Sequence, residues 1–173
     1  MKSHQCFLKT MTKDDVVLFQ KWMSEAVFWG EHLATHDIPL EYLMSDYEAT
    51  QGWQSNEMYR WLVMNEEQKP VGFVHCWKFD KFENHFEFGR VIHPSFRGKG
   101  YGLISLQLVL DKIFTITPAH RAQAITTVDN TANLKCWEKL GITVEGRLRQ
   151  YSMIDGVARD CFLGSKLKSE WSA

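Results

Sequence analysis

The chain has 173 residues, is 45% hydrophobic and carries a net charge of −1. That size suits one domain over residues 1–173, able to bury roughly 70% of its unfolded surface. No apolar run approaches a membrane span and none follows Met1-Lys2-Ser3-His4, so a cytoplasmic location is expected; dispersed bases without a basic-aromatic platform argue against nucleic acid as a partner. The cysteines at 6, 76, 136 and 161 are far apart, so free thiols are expected rather than a disulfide framework, and no metal site is expected from the scattered histidines.

In chain order, residues 6–10 predict a first strand, and Thr12 caps a helix with Val16, Phe19 and Met23 on its inner side. A second helix starts near Pro39 and carries Leu40, Leu43 and Tyr47 inward. From Trp22 to Tyr59 there is no Lys or Arg but there are seven acids, leaving 20 bases against 14 acids elsewhere. Such a segment beside an acceptor site would attract a cationic amine; a solvated acidic surface explains it equally well. The aromatic residues Trp22, Phe28, Trp29, Tyr42, Tyr47, Trp53, Tyr59 and Trp61 offer either a pocket wall for an ammonium group or ordinary core packing.

Residues 58–64 and 71–79 predict strands joined by the polar turn Asn65 to Pro70, and residues 84–93 a third strand of the same meander. A helix with Leu103, Leu106, Leu110 and Ile113 on one face comes next. A strand over 122–128 follows, then a helix capped by Asp129 or Asn130 and ended by Gly141. Residues 144–153 and 159–167 close the chain as a hairpin turning at Asp155-Gly156. The fold class is therefore mixed α/β (α+β), a single mostly antiparallel sheet flanked by helices.

His93-Pro94-Ser95-Phe96-Arg97-Gly98-Lys99-Gly100-Tyr101-Gly102 joins a strand end to a helix start through an amide-rich turn. Glycines at alternate positions permit unusual backbone conformations and close approach of a ligand. Free amides at the positive end of a helix favour phosphate, and Arg97 and Lys99 add charge, so the segment reads as a diphosphate cradle. It contains neither G-x-x-x-x-G-K-[ST] nor G-x-G-x-x-G, which excludes the Walker A loop and the dinucleotide fingerprint.

The remaining pattern, Arg97, Gly100 and Gly102 as R-x-x-G-x-G, resembles the coenzyme A pyrophosphate loop of the GNAT superfamily of N-acetyltransferases. The helix from Asn130 through Trp137 to Leu140-Gly141-Ile142 is similar to a late helix of that superfamily, with Trp137 where Tyr is usual and Ile142 where Phe is usual. Val144-Glu145-Gly146-Arg147-Leu148-Arg149, Ile154-Asp155-Gly156 and Arg159-Asp160 resemble the branch of Rim-type ribosomal-protein N-terminal and spermidine acetyltransferases. The resemblance spans about 100 residues from Val71 on; the N-terminal third shares only its strand-then-helix opening.

The resemblance implies acetyl-CoA as co-substrate, held where the sheet splays at its centre. Main chain near Val91 and Ile92 would pair with pantetheine, and Arg97, Gly98, Lys99, Gly100, Tyr101 and Gly102 would form the diphosphate loop. Asn130 and Asn133 would contact the coenzyme from the late helix. Acetyl would pass to a primary amine, either a protein N-terminus or a small polycation such as a polyamine or aminoglycoside, by direct attack in a ternary complex. Glu87, in a Phe86-Glu87-Phe88-Gly89 string similar to that of the Rim-type branch, is the expected base, its pKa raised by enclosure. Pairing with Arg90 is its structural alternative.

Trp137 departs from the pattern, because an indole N–H has no accessible acidity. Water or the Tyr151 hydroxyl would then protonate the thiolate, or a non-catalytic acetyl-CoA-binding or protein-interaction module would result. His75, His93 and Cys136 are expected to be structural. A homodimer is compatible with the family.

Overall fold

The computed structural model describes residues 5–34, 37–55, 57–78 and 82–171. The elements in chain order are β1 (Cys6–Thr10), α1 (Lys13–Ser24), α2 (Ala26–Trp29), α3 (Leu40–Ala49), β2 (Met58–Asn65), β3 (Pro70–Lys78) and β4 (His85–Ile92). After β4 come α4 (Tyr101–Ile116), β5 (Arg121–Thr127), α5 (Thr131–Leu140), β6 (Thr143–Ile154) and β7 (Val157–Leu167). Seven strands form one sheet in the order β1-β2-β3-β4-β5-β7-β6. Only β4 and β5 run parallel, so the sheet is mixed and mostly antiparallel.

Strand alternation divides the core between the two faces of this sheet. On β2, Trp61 and Val63 join Leu106, Leu110 and Ile113 of α4, while Leu62 and Met64 join Phe19 of α1 and Leu43 of α3. α1 begins with a reciprocal cap: Asp15 Oδ2 accepts from the Thr12 main-chain N–H and from its hydroxyl, both at 2.8 Å. α5 ends at Gly141 in the left-handed conformation (φ 61°), as its position in the sequence requires. Asp155 and Gly156 both have positive φ (49° and 76°), the geometry that a two-residue hairpin turn needs.

The main departures from expectation lie where elements meet the sheet's opening. Leu103 is only half-buried and lines a cavity, whereas Tyr101, Ser105 and Val109 complete the buried side of α4. A short extra helix, α2, follows α1. Phe79, expected to end the second strand of the meander, lies outside the described residues.

β4 and β5 pair only from His85–Arg121 to Glu87–Gln123. Beyond Glu87 the two strands diverge, so the β4 side that faces β5 has no strand partner from Phe88 to Ile92. This splay, midway along the sheet, is where the site lies.

Candidate active site

Two cavities open at the splay. The larger, of about 670 Å³, runs from the turn after β4 to α5. The smaller, of about 270 Å³, lies deeper between β4, β5 and the start of β7. Trp29, His32, Arg90, Val91, Asn130 and Asn133 line both, so the two are contiguous.

The larger cavity is lined by glycine-turn backbone and by cations. Gly98 (φ 74°) and Gly100 (φ 90°) hold left-handed backbone in open space, where an L side chain would be strained. α4 starts at Gly100 with no side-chain cap. Among the described residues, the main-chain N–H groups of Gly98, Lys99, Gly100 and Gly102 have no acceptor within the chain. Unpaired amides at a helix start are a ready anion site. Arg90, Arg97, Lys135 and Lys139 also line this cavity, against Glu31 as its one acid.

The sequence-predicted cradle is brought together unevenly. Val91, Ile92, Arg97, Gly98, Gly100, Gly102, Asn130 and Asn133 line the larger cavity. Lys99 and Tyr101 line neither: Lys99 Nζ donates to Ser95 O at 3.1 Å, and the Tyr101 side chain is buried with its hydroxyl donating to Glu66 Oε2 at 3.3 Å. Their contribution to a cradle is limited to main chain. Arg97 is also occupied, donating from Nε to Ile92 O (2.9 Å) and from Nη2 to Phe28 O (2.6 Å), which ties the turn to α2. The Asn130 side chain accepts from the Asn133 N–H at 3.1 Å and so caps α5.

Three cations escaped the sequence reading. Lys135 and Lys139 lie four residues apart on α5, a spacing that places both on one helix face. Arg90 was considered only as a partner for Glu87, and it points to the opposite face of the sheet. Its Nε donates to Gly102 O (2.6 Å), and its Nη2 to Asn133 Oδ1 (3.2 Å) and Cys136 Sγ (3.5 Å). A Cβ at Gly102 would sit 3.2 Å from Arg90 Nη2, a contact tight enough that the guanidinium would have to give way.

The smaller cavity is lined by the titratable side chains of Glu87, Tyr151 and His75. Glu87 is half-buried on β4, between Trp77 of β3 and Gln123 of β5. Burial raises its pKa, and a hydrogen bond with the Gln123 side chain opposes the rise. Tyr151, on β6, lines the same cavity; burial, then the Glu87 charge, raise its pKa and keep the phenol protonated. His75 is held neutral, with a pKa pushed down to about 3 by burial and by the nearby Arg60 cation. It packs against Gly89, where a Cβ would lie 2.5 Å from His75 Nε2.

Trp137 is 1% exposed and lines this cavity, and its indole Nε1 has no hydrogen-bond partner. Its Cε3–Cζ3 edge packs on Gly164 of β7, which leaves Nε1 on the ring's other long edge. A Cβ at Gly164 would fall 2.4 Å from Cζ3. Gly164→Ala is therefore expected to cost about 1–3 kcal/mol by overpacking. A urea midpoint equal to that of wild type would show that the indole is free to shift.

Other candidates resolve as structure. His93 caps the turn, its Nδ1 accepting from Ser95 N at 3.3 Å. Of the eight aromatic residues considered as a pocket wall, Trp29 alone lines either of these two cavities; Trp22, Phe28, Trp53, Tyr59 and Trp61 are core, Tyr47 packs half-buried against it, and Tyr42 is exposed on α3. Of the seven acids, Glu31 alone lines either of the two, while Asp46 accepts from Trp53 Nε1 (2.7 Å) and Glu48 pairs with Lys13. Among the described residues, no group of three or more His, Cys, Asp or Glu is arranged to hold a metal, and no helix is long and apolar enough to cross a membrane.

The proteins to which this chain is similar include acetyltransferases. Spermidine N(1)-acetyltransferase of Vibrio cholerae is 27% identical over 105 residues, a match that covers 61% of this chain and 61% of that protein, less than two thirds of its length. The putative ribosomal N-acetyltransferase YdaF of Bacillus subtilis is 21% identical over 160 residues, covering 90% of this chain and 84% of that one. The crystal structure of the Vibrio cholerae spermidine N-acetyltransferase in complex with CoA and spermine superposes with a TM-score of 0.85 at 21% identity, covering 96% of this chain and 97% of that one. The Acetyltransferase (GNAT) domain family matches residues 6–143, and with the splayed sheet and the glycine turn this shows that the chain belongs to the GNAT acetyltransferase family.

Proposed function

We propose that this protein is an acetyl-CoA-dependent N-acetyltransferase acting on a primary amine, with a polyamine as the favoured acceptor class. The observation that carries this reading is the larger cavity, rich in cations and free amides, contiguous with the smaller cavity that Glu87 lines. A coenzyme diphosphate would lie against Gly98 to Gly102, and pantetheine would follow the unpaired side of β4 past Val91 and Ile92. Asn130 and Asn133 stand on the far wall of the same channel. The thioester end would then reach the smaller cavity.

There the amine nitrogen attacks the thioester carbonyl carbon, and its proton passes to Glu87 directly or through water. The C–S bond breaks, and coenzyme A thiolate leaves with the bonding pair. Tyr151 is the group on this cavity able to supply a proton to sulfur; Trp137 Nε1 can donate a hydrogen bond but not the proton itself. Most of the rate gain is ascribed to holding the two reactants in line and to main-chain donors near the carbonyl oxygen. The names of the relatives, one acting on spermidine and one putatively on ribosomal protein, are consistent with either a polyamine or a protein N-terminus. The smaller cavity, with Glu87 facing Trp29 and Trp77, favours a slender alkylammonium. We place the protein in the cytoplasm as one domain, without a metal.

Release of free thiol from acetyl-CoA should accelerate with spermidine or spermine more than with N-terminal peptides or aminoglycosides. Preference for a peptide would move the acceptor assignment to the ribosomal type. Tight coenzyme binding with no turnover on any amine would favour a non-catalytic binding module.

A further inference from the structure

Arg90 stands where electrostatics would not place a cation by choice. Its guanidinium lies against the first turn of α4, at the positive end of that helix, with Gly102 in van der Waals contact. Enclosure by protein pulls its pKa down. Its hydrogen-bond acceptors are the Gly102 carbonyl, the Asn133 amide oxygen and the Cys136 sulfur, none of them a carboxylate. Among the described residues no carboxylate pairs with it, and Nη1 makes no hydrogen bond to the chain. A partly desolvated cation beside a helix N-terminus and without a counter-ion is costly on its own. The cost is recovered if an anion completes the site, and Arg90 lines the cavity bounded by Gly98, Gly100 and Gly102.

We infer that Arg90 is a further, half-buried counter-ion of the coenzyme's diphosphate, beside Arg97 and Lys99, to which the sequence assigns the added charge. This rests on the coenzyme reading above. Arg97 lines the same cavity, held by Ile92 O and Phe28 O through Nε and Nη2, whereas Lys99 lines neither cavity and donates to Ser95 O. Arg90 is fixed by three hydrogen bonds with one nitrogen to spare. Such a guanidinium loses little side-chain entropy when phosphate arrives. Asn133, expected to touch the coenzyme itself, also serves to orient Arg90. A strand residue would thereby read the ligand from beneath the helix while the glycine turn reads it from the end.

The test compares wild type with Arg90→Met and Arg90→Gln, using three ligands that separate the phosphates: coenzyme A, 3′-dephospho-coenzyme A and pantetheine. Affinity is read by calorimetry for the first two, and by calorimetric displacement against coenzyme A for pantetheine. Both variants should lose about 10- to 100-fold in affinity for coenzyme A and the same factor for the dephospho form, with pantetheine unchanged. Without ligand, Arg90→Met should melt at or above the wild-type temperature, because it removes an uncompensated charge, and should lose most of the coenzyme-induced rise.

A merely structural arginine would give the reverse: a lower melting temperature without ligand and an unaltered affinity for the folded fraction. Equal losses with all three ligands, or a loss with coenzyme A only, would also overturn the inference, by moving the contact to pantetheine or to the 3′-phosphate. If wild type itself fails to bind coenzyme A, the coenzyme reading falls and this inference with it; if wild type binds and both variants bind equally well, the inference alone fails.

Discussion

Gly100→Asp should weaken coenzyme A binding by more than about 100-fold while leaving the protein folded. Gly100 has a φ of 90°, and a Cβ there meets nothing within 4 Å, so the new side chain has room and the fold bears only left-handed strain. That strain costs about 1–2 kcal/mol, and less for Asp or Asn, which tolerate this region. The added carboxylate is the decisive term. At about 5 Å and an effective dielectric of about 20, each pair of like unit charges costs about 3 kcal/mol, which is roughly two decades of affinity. Gly100→Asn carries nearly the same shape and strain without the charge, and should lose far less. Calorimetry with both variants separates the two contributions, and equal affinities for Asp and Asn would remove the diphosphate from this turn.

Glu87→Gln is expected to lower turnover by about 10²–10⁴, the usual contribution of a positioned base, with coenzyme affinity intact. Because burial raises the Glu87 pKa, the wild-type kcat/KM profile should show an acidic limb above the ordinary glutamate range, and the variant should lack that limb. The loss should be greatest where the amine is mostly protonated. Stability carries an independent signature. The folded state holds the Glu87 proton more tightly than the unfolded chain, so wild-type stability falls as pH rises from the ordinary glutamate value through the raised one. Glu87→Gln escapes that fall and should gain stability relative to wild type above this window but not below it. A variant with the wild-type rate profile would mean that the base is elsewhere or dispensable.

Much of this architecture was legible because local rules and tertiary demands agreed. Thr12 and Asp15, Asn130 and Gly141, and Asp155-Gly156 each satisfy one nearby backbone requirement, and their elements fall within a residue or two of expectation. The glycine turn could be read for the same reason, since left-handed backbone at Gly98 and Gly100 is a local property. Gly102 looked like a third of the same kind, but it lies inside α4, and what a Cβ there would meet is the Arg90 guanidinium reaching over from β4. No pattern in sequence reveals such a contact. Arg90 follows buried Phe88 at period two, so alternation puts it on the core side, where a charge reads as an anomaly without a visible partner.

Leu103 shows the converse limit. Its helical spacing matches that of Leu106, Leu110 and Ile113, yet α4 overhangs the splay at its first turn, and the face buried further along is open there. The acidic and aromatic segment from Trp22 to Tyr59 was read as a candidate acceptor wall. Packing took most of it: Phe19, Phe28, Phe73 and Trp53 form edge-to-face and stacked pairs under the sheet, and Asp46 is fixed by Trp53 Nε1. Composition alone does not separate an aromatic core from an aromatic pocket, because both bury the same rings.

The most direct test of the account is a calorimetric titration of coenzyme A into the folded wild-type protein. Saturable binding of one coenzyme per chain is expected, with an affinity that falls as salt is raised, because Arg90, Lys135, Lys139 and the turn glycines line the cavity proposed to hold the phosphates. A well-folded sample that gives no heat, and in which coenzyme A competes with nothing, would contradict it.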